Sequence, residues 1–97
     1  MSTSSTYKEK VAKLKTFFTR RKSAYHQVFN PENVYTQLVL EDLAKFCRAN
    51  ESTFHPNSDI ARQLDGRREV WLRIQQHLNL TTDELFELYG QRGLNND

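Results

Sequence analysis

Ile60 to Leu78 reads IARQLDGRREVWLRIQQHL, and its periodicity decides the fold. At about 100° per residue, Ile60, Leu64, Trp71, Ile74 and Leu78 fall within roughly 80° of arc, the apolar stripe of an amphipathic helix. Arg67 falls in the middle of that stripe, where a charge requires a partner or an exposed surface. Gly66 lies off the stripe and costs about 1 kcal/mol relative to Ala. Asn57, Ser58 or Asp59 can cap the helix, whose side-chain oxygens take up orphan backbone N–H groups. The helix is expected to run about 20 residues, or roughly 30 Å.

On its amino-terminal side, Asn50 to Asn57 (NESTFHPN) is the longest connection. Phe54 is expected to plug it into the core, as a large aromatic in a polar loop is otherwise hard to place. A second helix is expected from Glu32 to Ala49, with Tyr35, Leu38, Val39, Leu43 and Phe46 as its buried stripe. Asp42 falls inside that stripe, as Arg67 does on its own helix. The economical expectation is a buried or half-buried Asp42–Arg67 ion pair, because one unpaired buried partner costs several kcal/mol. The alternative is an exposed patch in which Arg67 stacks on Trp71, a combination that dominates interface energetics.

Further upstream, Thr6 with Glu9 reads as a capping box that opens a first helix, and Met1 to Ser5 is expected to be disordered. Val11, Leu14, Phe18, Tyr25 and Val28 share one face, with Arg21 lying along it as a snorkelling side chain. Lys8, Lys13, Lys15, Arg20 and Lys22 lie largely away from that face. The helix should end before Asn30-Pro31, since the residue preceding a proline is pushed out of the α region.

On the carboxyl-terminal side, Thr81 with Glu84 forms a second capping box, and Leu80 with Leu85 a hydrophobic staple. The helix they start is short, with Leu85, Phe86, Leu88 and Tyr89 inward and Gly90 closing it in the left-handed conformation. Gln91 to Asp97 should fray. The fold class is therefore all-α: a small single-domain bundle of about four helices over residues 6–90, without repeats or linkers.

Composition agrees. Ninety-seven residues suit one small domain, and three Gly with two Pro leave too few tight turns for an all-β fold. The single Cys47 cannot form an intramolecular disulfide, and no apolar run approaches the roughly 20 residues that span a bilayer. With no signal-peptide pattern, intracellular synthesis is expected. The net charge of +2 conceals an asymmetry: residues 1–28 carry seven Lys/Arg and one Glu (+6), residues 29–97 seven Lys/Arg and eleven Asp/Glu (−4). Such polarity can direct the basic helix to an acidic partner or nucleic acid, or to the acidic body of its own fold.

No catalytic constellation stands out. His26, His55, His77 and Cys47 match none of the paired spacings of zinc sites, and no third group orients a Cys/His nucleophile. Cys47 reads as a small buried hydrophobe and His55 as a loop residue with a local hydrogen bond. Catalytic residues, metal ligands and cofactors are all expected to be absent, and the chain is read as a non-enzyme. The connection between helices 2 and 3 is too long for a helix-turn-helix. The candidate interaction surface comprises Lys8, Lys13, Lys15, Arg20 and Lys22 on helix 1, together with Arg68 and Arg73.

From Tyr25 to about Tyr89 the chain resembles a family of small tailed-bacteriophage proteins of the Bordetella-podophage type. The resemblance rests on YHQVF at Tyr25–Phe29, VLEDLAKFC at Val39–Cys47, STFHP at Ser52–Pro56 and, most specifically, GRREVWLRIQQHLNL at Gly66–Leu80. It implies a setting, near head and packaging genes, and no reaction. In that setting the expected function is a protein–protein interaction module, virion-associated or acting in virion assembly, in the virion or the host cytoplasm. Its partners would be capsid, connector or ejection proteins. The alternatives are an early phage protein that inhibits a host protein, and a nonspecific nucleic-acid binder using helix 1.

Overall fold

The computed structural model describes residues 3–90. Four α-helices follow in order: α1 Thr3–Val28, α2 Val34–Phe46, α3 Ser58–Asn79 and α4 Thr82–Leu85, the last continuing into a π-helical turn at Phe86–Gly90. No strand occurs among the described residues, and the fold is all-α as expected.

Local chemistry sets most boundaries. Asn57 caps α3 by accepting from the N–H groups of Asp59 and Ile60. The Thr81–Glu84 capping box is complete: Thr81 N–H donates to Glu84 Oε1 at 3.0 Å, and Glu84 N–H donates to Thr81 Oγ1 at 3.2 Å. Other boundaries depart from expectation. Helix α1 begins at Thr3, ahead of Thr6, because nothing in Thr3–Ser5 breaks a helix; Met1, Ser2 and residues 91–97 lie outside the described range.

Helix α2 is shorter than expected at both ends. Asn30 Oδ1 accepts from Glu32 N–H and Asn33 Oδ1 from Tyr35 N–H, and these local bonds hold the chain out of the helix until Val34. At the other end Arg48 adopts φ 54°. Its N–H reaches Lys45 O while Ala49 N–H reaches Ala44 O. That pairing is a Schellman stop built on an arginine where glycine is the usual residue.

Helix α3 is the middle member. Helix α1 packs along one side of it, α2 along the other, and α4 with the π-helical turn closes on α1. The buried apolar side chains are few: Phe18, Cys47, Leu64, Ile74 and Leu85. The molecule measures 55 × 38 × 14 Å with a radius of gyration of 17.2 Å, against about 12–13 Å for a compact chain of this length. It is a thin plate of helices.

Several expectations fail on packing, among them Leu88, which was expected inward and is 51 % exposed. The side of α2 that meets α3 is Thr36, Leu40, Leu43, Ala44 and Cys47, roughly a quarter turn from the expected stripe. Thr36 and Cys47 are buried on that side, and Thr36, Leu40 and Ala44 line a groove shared with Trp71 and Leu78 of α3. Tyr35, Leu38, Val39 and Phe46 consequently face solvent. Phe54 is 79 % exposed and plugs nothing; its loop is held locally, by Phe54 N–H on Ser52 Oγ and Asn57 N–H on His55 Nδ1. Gly90 is not left-handed. It is buried under Phe18, where an added Cβ would lie 3.2 Å from Phe18 Cε2.

Candidate functional site

The quarter-turn of α2 separates the two charges that sequence logic had paired. Asp42 is exposed and makes no ion pair among the described residues. Arg67 instead lays its guanidinium 4.4 Å from the centroid of the Phe46 ring, a cation–π contact at the rim of the α2–α3 seam. The Asp42–Arg67 pair is thereby corrected, and Arg67 does not stack on Trp71 either.

The candidate basic surface divides in two. Lys22 donates to Leu80 O at 2.5 Å and to His77 O at 3.4 Å, so it caps the carboxyl end of α3, where free carbonyls and the helix dipole both favour a cation. Lys15 pairs with Asp83 at 3.3 Å and lies 5.6 Å from the Phe86 ring centroid. Arg68 donates to Glu51 O at 3.2 Å and ties the long connection to α3. Arg73 lies 4.9 Å from the Tyr89 ring centroid. These four hold the fold together. Lys8, Lys13 and Arg20 remain exposed, without an ion pair or hydrogen bond among the described residues. Of these, Lys13 and Arg20 flank the half-exposed Phe17 with Arg21 beside them, a cationic groove along α1.

His77, fully buried, is the polar centre that periodicity did not reveal. Its ring stacks on Tyr25 at 4.3 Å and on Tyr89 at 5.6 Å between centroids. Arg21 donates from Nε to His77 Nε2 at 3.0 Å, and His77 Nδ1 lies 2.8 Å from Arg73 O. A guanidinium can only donate, so Nε2 must accept and the proton sits on Nδ1, donating to Arg73 O. Burial pushes the His77 pKa down, the Arg73 carbonyl opposes that, and the cations of Arg21, Arg73 and Lys22 lower it further. Burial and Arg73 likewise lower the Arg21 pKa. This cluster joins α1, α3 and the π-helical turn, and its role is architectural. One sequence signal points to it: His77 lies three residues after Ile74 and seven after Val70, beside the flank of α3 that meets α1.

Part of the remaining surface of the plate is apolar. One groove is lined by Ala24, Tyr25, Val28, Phe29, Val70 and Ile74. It runs through Val28 and Phe29 into a second, lined also by Asn33, Tyr35, Thr36 and Val39. None of these residues is charged. Val28 is 69 % exposed, Tyr35 71 %, Val70 54 % and Phe46 56 %; single exposed apolar residues are ordinary, whereas a contiguous run of this kind is a candidate contact surface. Lys13 and Arg20 stand around Phe17 on the α1 flank, and on the α2 flank Asp42 stands among Tyr35, Val39 and Phe46, with Arg67 over the Phe46 ring. Sequence periodicity missed this face because it assigned the same α2 residues to the core.

No group of three or more His, Cys, Asp or Glu able to hold a metal ion lies among the described residues, and no helix there is long and apolar enough to cross a membrane. Residues 25–89 match the model of a protein family described as Bbp19-like phage protein. No curated protein and no solved structure matches the chain.

Proposed function

With two thirds of its length matched, the chain belongs to the Bbp19-like phage protein family, and we propose that it is a non-enzymatic protein–protein interaction module of the phage particle or its assembly. The observation that carries the proposal is the uncharged groove from Val70 and Val28 to Tyr35 and Val39, on a plate too thin to bury both of its faces. A surface of this chemistry gains free energy by excluding water against another protein, at roughly 25 cal/mol per Å² of apolar area. The capsid, connector or ejection proteins of the same phage are the proposed partners.

Quantitative mass spectrometry of gradient-purified particles and assembly intermediates tests this. The protein should be present at a fixed copy number per particle in at least one fraction; its absence from all of them contradicts the proposal.

A second reading attaches to the cationic groove. Lys13, Arg20 and Arg21 surround a half-exposed Phe17, and cations beside an exposed ring suit the backbone and bases of nucleic acid. A gel shift with random-sequence DNA that weakens steeply with salt would support it.

A further inference from the structure

We propose that the apolar face seats a second copy of this chain in a two-fold arrangement, the Lys13/Arg20 flank of each copy meeting the Asp42 flank of the other. The proposal rests on the face being a contact surface and assigns that face to a second copy, so that the capsid, connector or ejection proteins engage the paired chains and not the groove itself. A two-fold interface is isologous, so the patch must be complementary to itself. This one is: its grooves are lined by uncharged residues that can pack against their own image, with Arg67 held over Phe46 at the edge, whereas one flank carries Lys13 and Arg20 and the other the carboxylate of Asp42. A uniformly basic partner would leave the Lys13 flank unmatched, and a uniformly acidic one would leave Asp42 unmatched.

Area points the same way. Phe17, Val28, Tyr35, Val39, Phe46 and Val70 are each about half or more exposed. At roughly 100 Å² apiece they offer about 600 Å² per copy, or about 1,200 Å² for the pair, which reaches the lower bound for stable interfaces. The plate also exposes 7423 Å² in all, where a compact monomer of its mass exposes about 5,800 Å². Nucleic acid accounts for the basic flank alone, since phosphates find no cation along the middle of the face.

Sedimentation equilibrium on the full chain, with light scattering for stoichiometry, tests the proposal. The wild type should be a dimer at micromolar concentration. Val28→Asp and Val39→Asp should each weaken the dimer by about a hundredfold while far-UV circular dichroism keeps its helical signal. Asp42→Arg and Arg20→Glu should each weaken it by about tenfold. Mixed in equal amounts, those two variants should pair almost as tightly as the wild type, because each then supplies the charge the other lacks.

A monomeric wild type, a dimer indifferent to Val28→Asp, or a ladder of larger species would overturn the proposal. So would a monomer that binds random DNA with an affinity unchanged by Val39→Asp, which would assign the surface to nucleic acid. A monomer found in purified particles would overturn self-association while leaving the particle role standing; a dimer absent from particles would do the reverse.

Discussion

Arg21 donates from Nε to Nε2 of His77 across 3.0 Å, and this bond joins α1 to α3 at the one histidine of the fold with no solvent exposure. A guanidinium tolerates only an acceptor there, so folding holds His77 in its neutral form. Protonation would set two donors against each other inside a ring of cations.

The first prediction concerns acid. The His77 pKa is lower in the folded protein than the ordinary value of 6.5, so below that value the unfolded chain binds a proton that the folded chain refuses. Its contribution is complete above about pH 6.5 and is lost progressively as the pH falls toward the folded pKa. Urea midpoints measured from pH 8 to 5 should therefore drop below pH 6.5, and the His77 imidazole resonance should titrate below that value. A His77 titration at or above 6.5 would contradict the assigned tautomer.

Lys22 is expected to act as the carboxyl cap of α3. Lys22→Met keeps most of the stem and removes both hydrogen bonds to the terminal carbonyls, and should cost roughly 1 kcal/mol in chemical denaturation. Lys8→Met, at an exposed lysine near the other end of the same helix, should stay within about 0.5 kcal/mol of wild type.

The glycines should respond in opposite directions. At Gly66 an added Cβ meets nothing within 4 Å, so Gly66→Ala should stabilise α3 by about 0.5–1 kcal/mol. At Gly90 the same atom would lie 2.6 Å from Phe86 Cδ2 and 3.2 Å from Phe18 Cε2, and Gly90→Ala should destabilise by roughly 1–3 kcal/mol. Thermal melts of the two variants check both signs.

Asp42 and Arg67 should be energetically independent within one chain. In a double-mutant cycle at a concentration where the protein is monomeric, Asp42→Ala should change stability by less than about 0.5 kcal/mol. Arg67→Ala should cost roughly 0.5–1 kcal/mol through its lost contact with Phe46. The two effects should add. A coupling above about 1 kcal/mol would restore the ion pair.

The chain declared its helices more clearly than their orientation. The Asn57 cap, the Thr81–Glu84 box and the Leu64–Ile74 stripe were legible because each is a short-range pattern with a local cause. The phase of α2 was not. Periodicity finds the most apolar arc of a helix, and on α2 that arc is Tyr35, Leu38, Val39 and Phe46, whereas packing chose the small residues Thr36, Ala44 and Cys47. The clue was present in Asp42, a charge at the centre of the supposed core stripe, which fits an outward face without needing Arg67. His77 was hidden for a related reason: a histidine at helix spacing carries no mark of burial until Arg21, Tyr25 and Tyr89 arrive from distant parts of the chain. The basic helix, read as one surface, proved to be two sets of side chains with different work.

The most direct test of the contact face is made in the phage. A phage encoding Val39→Asp, on a protein shown by circular dichroism to remain helical, should yield particles and assembly intermediates in which this chain is depleted at least about tenfold relative to wild type. Incorporation at the wild-type level would contradict the account, since the face would then have no part in bringing the protein to its partners.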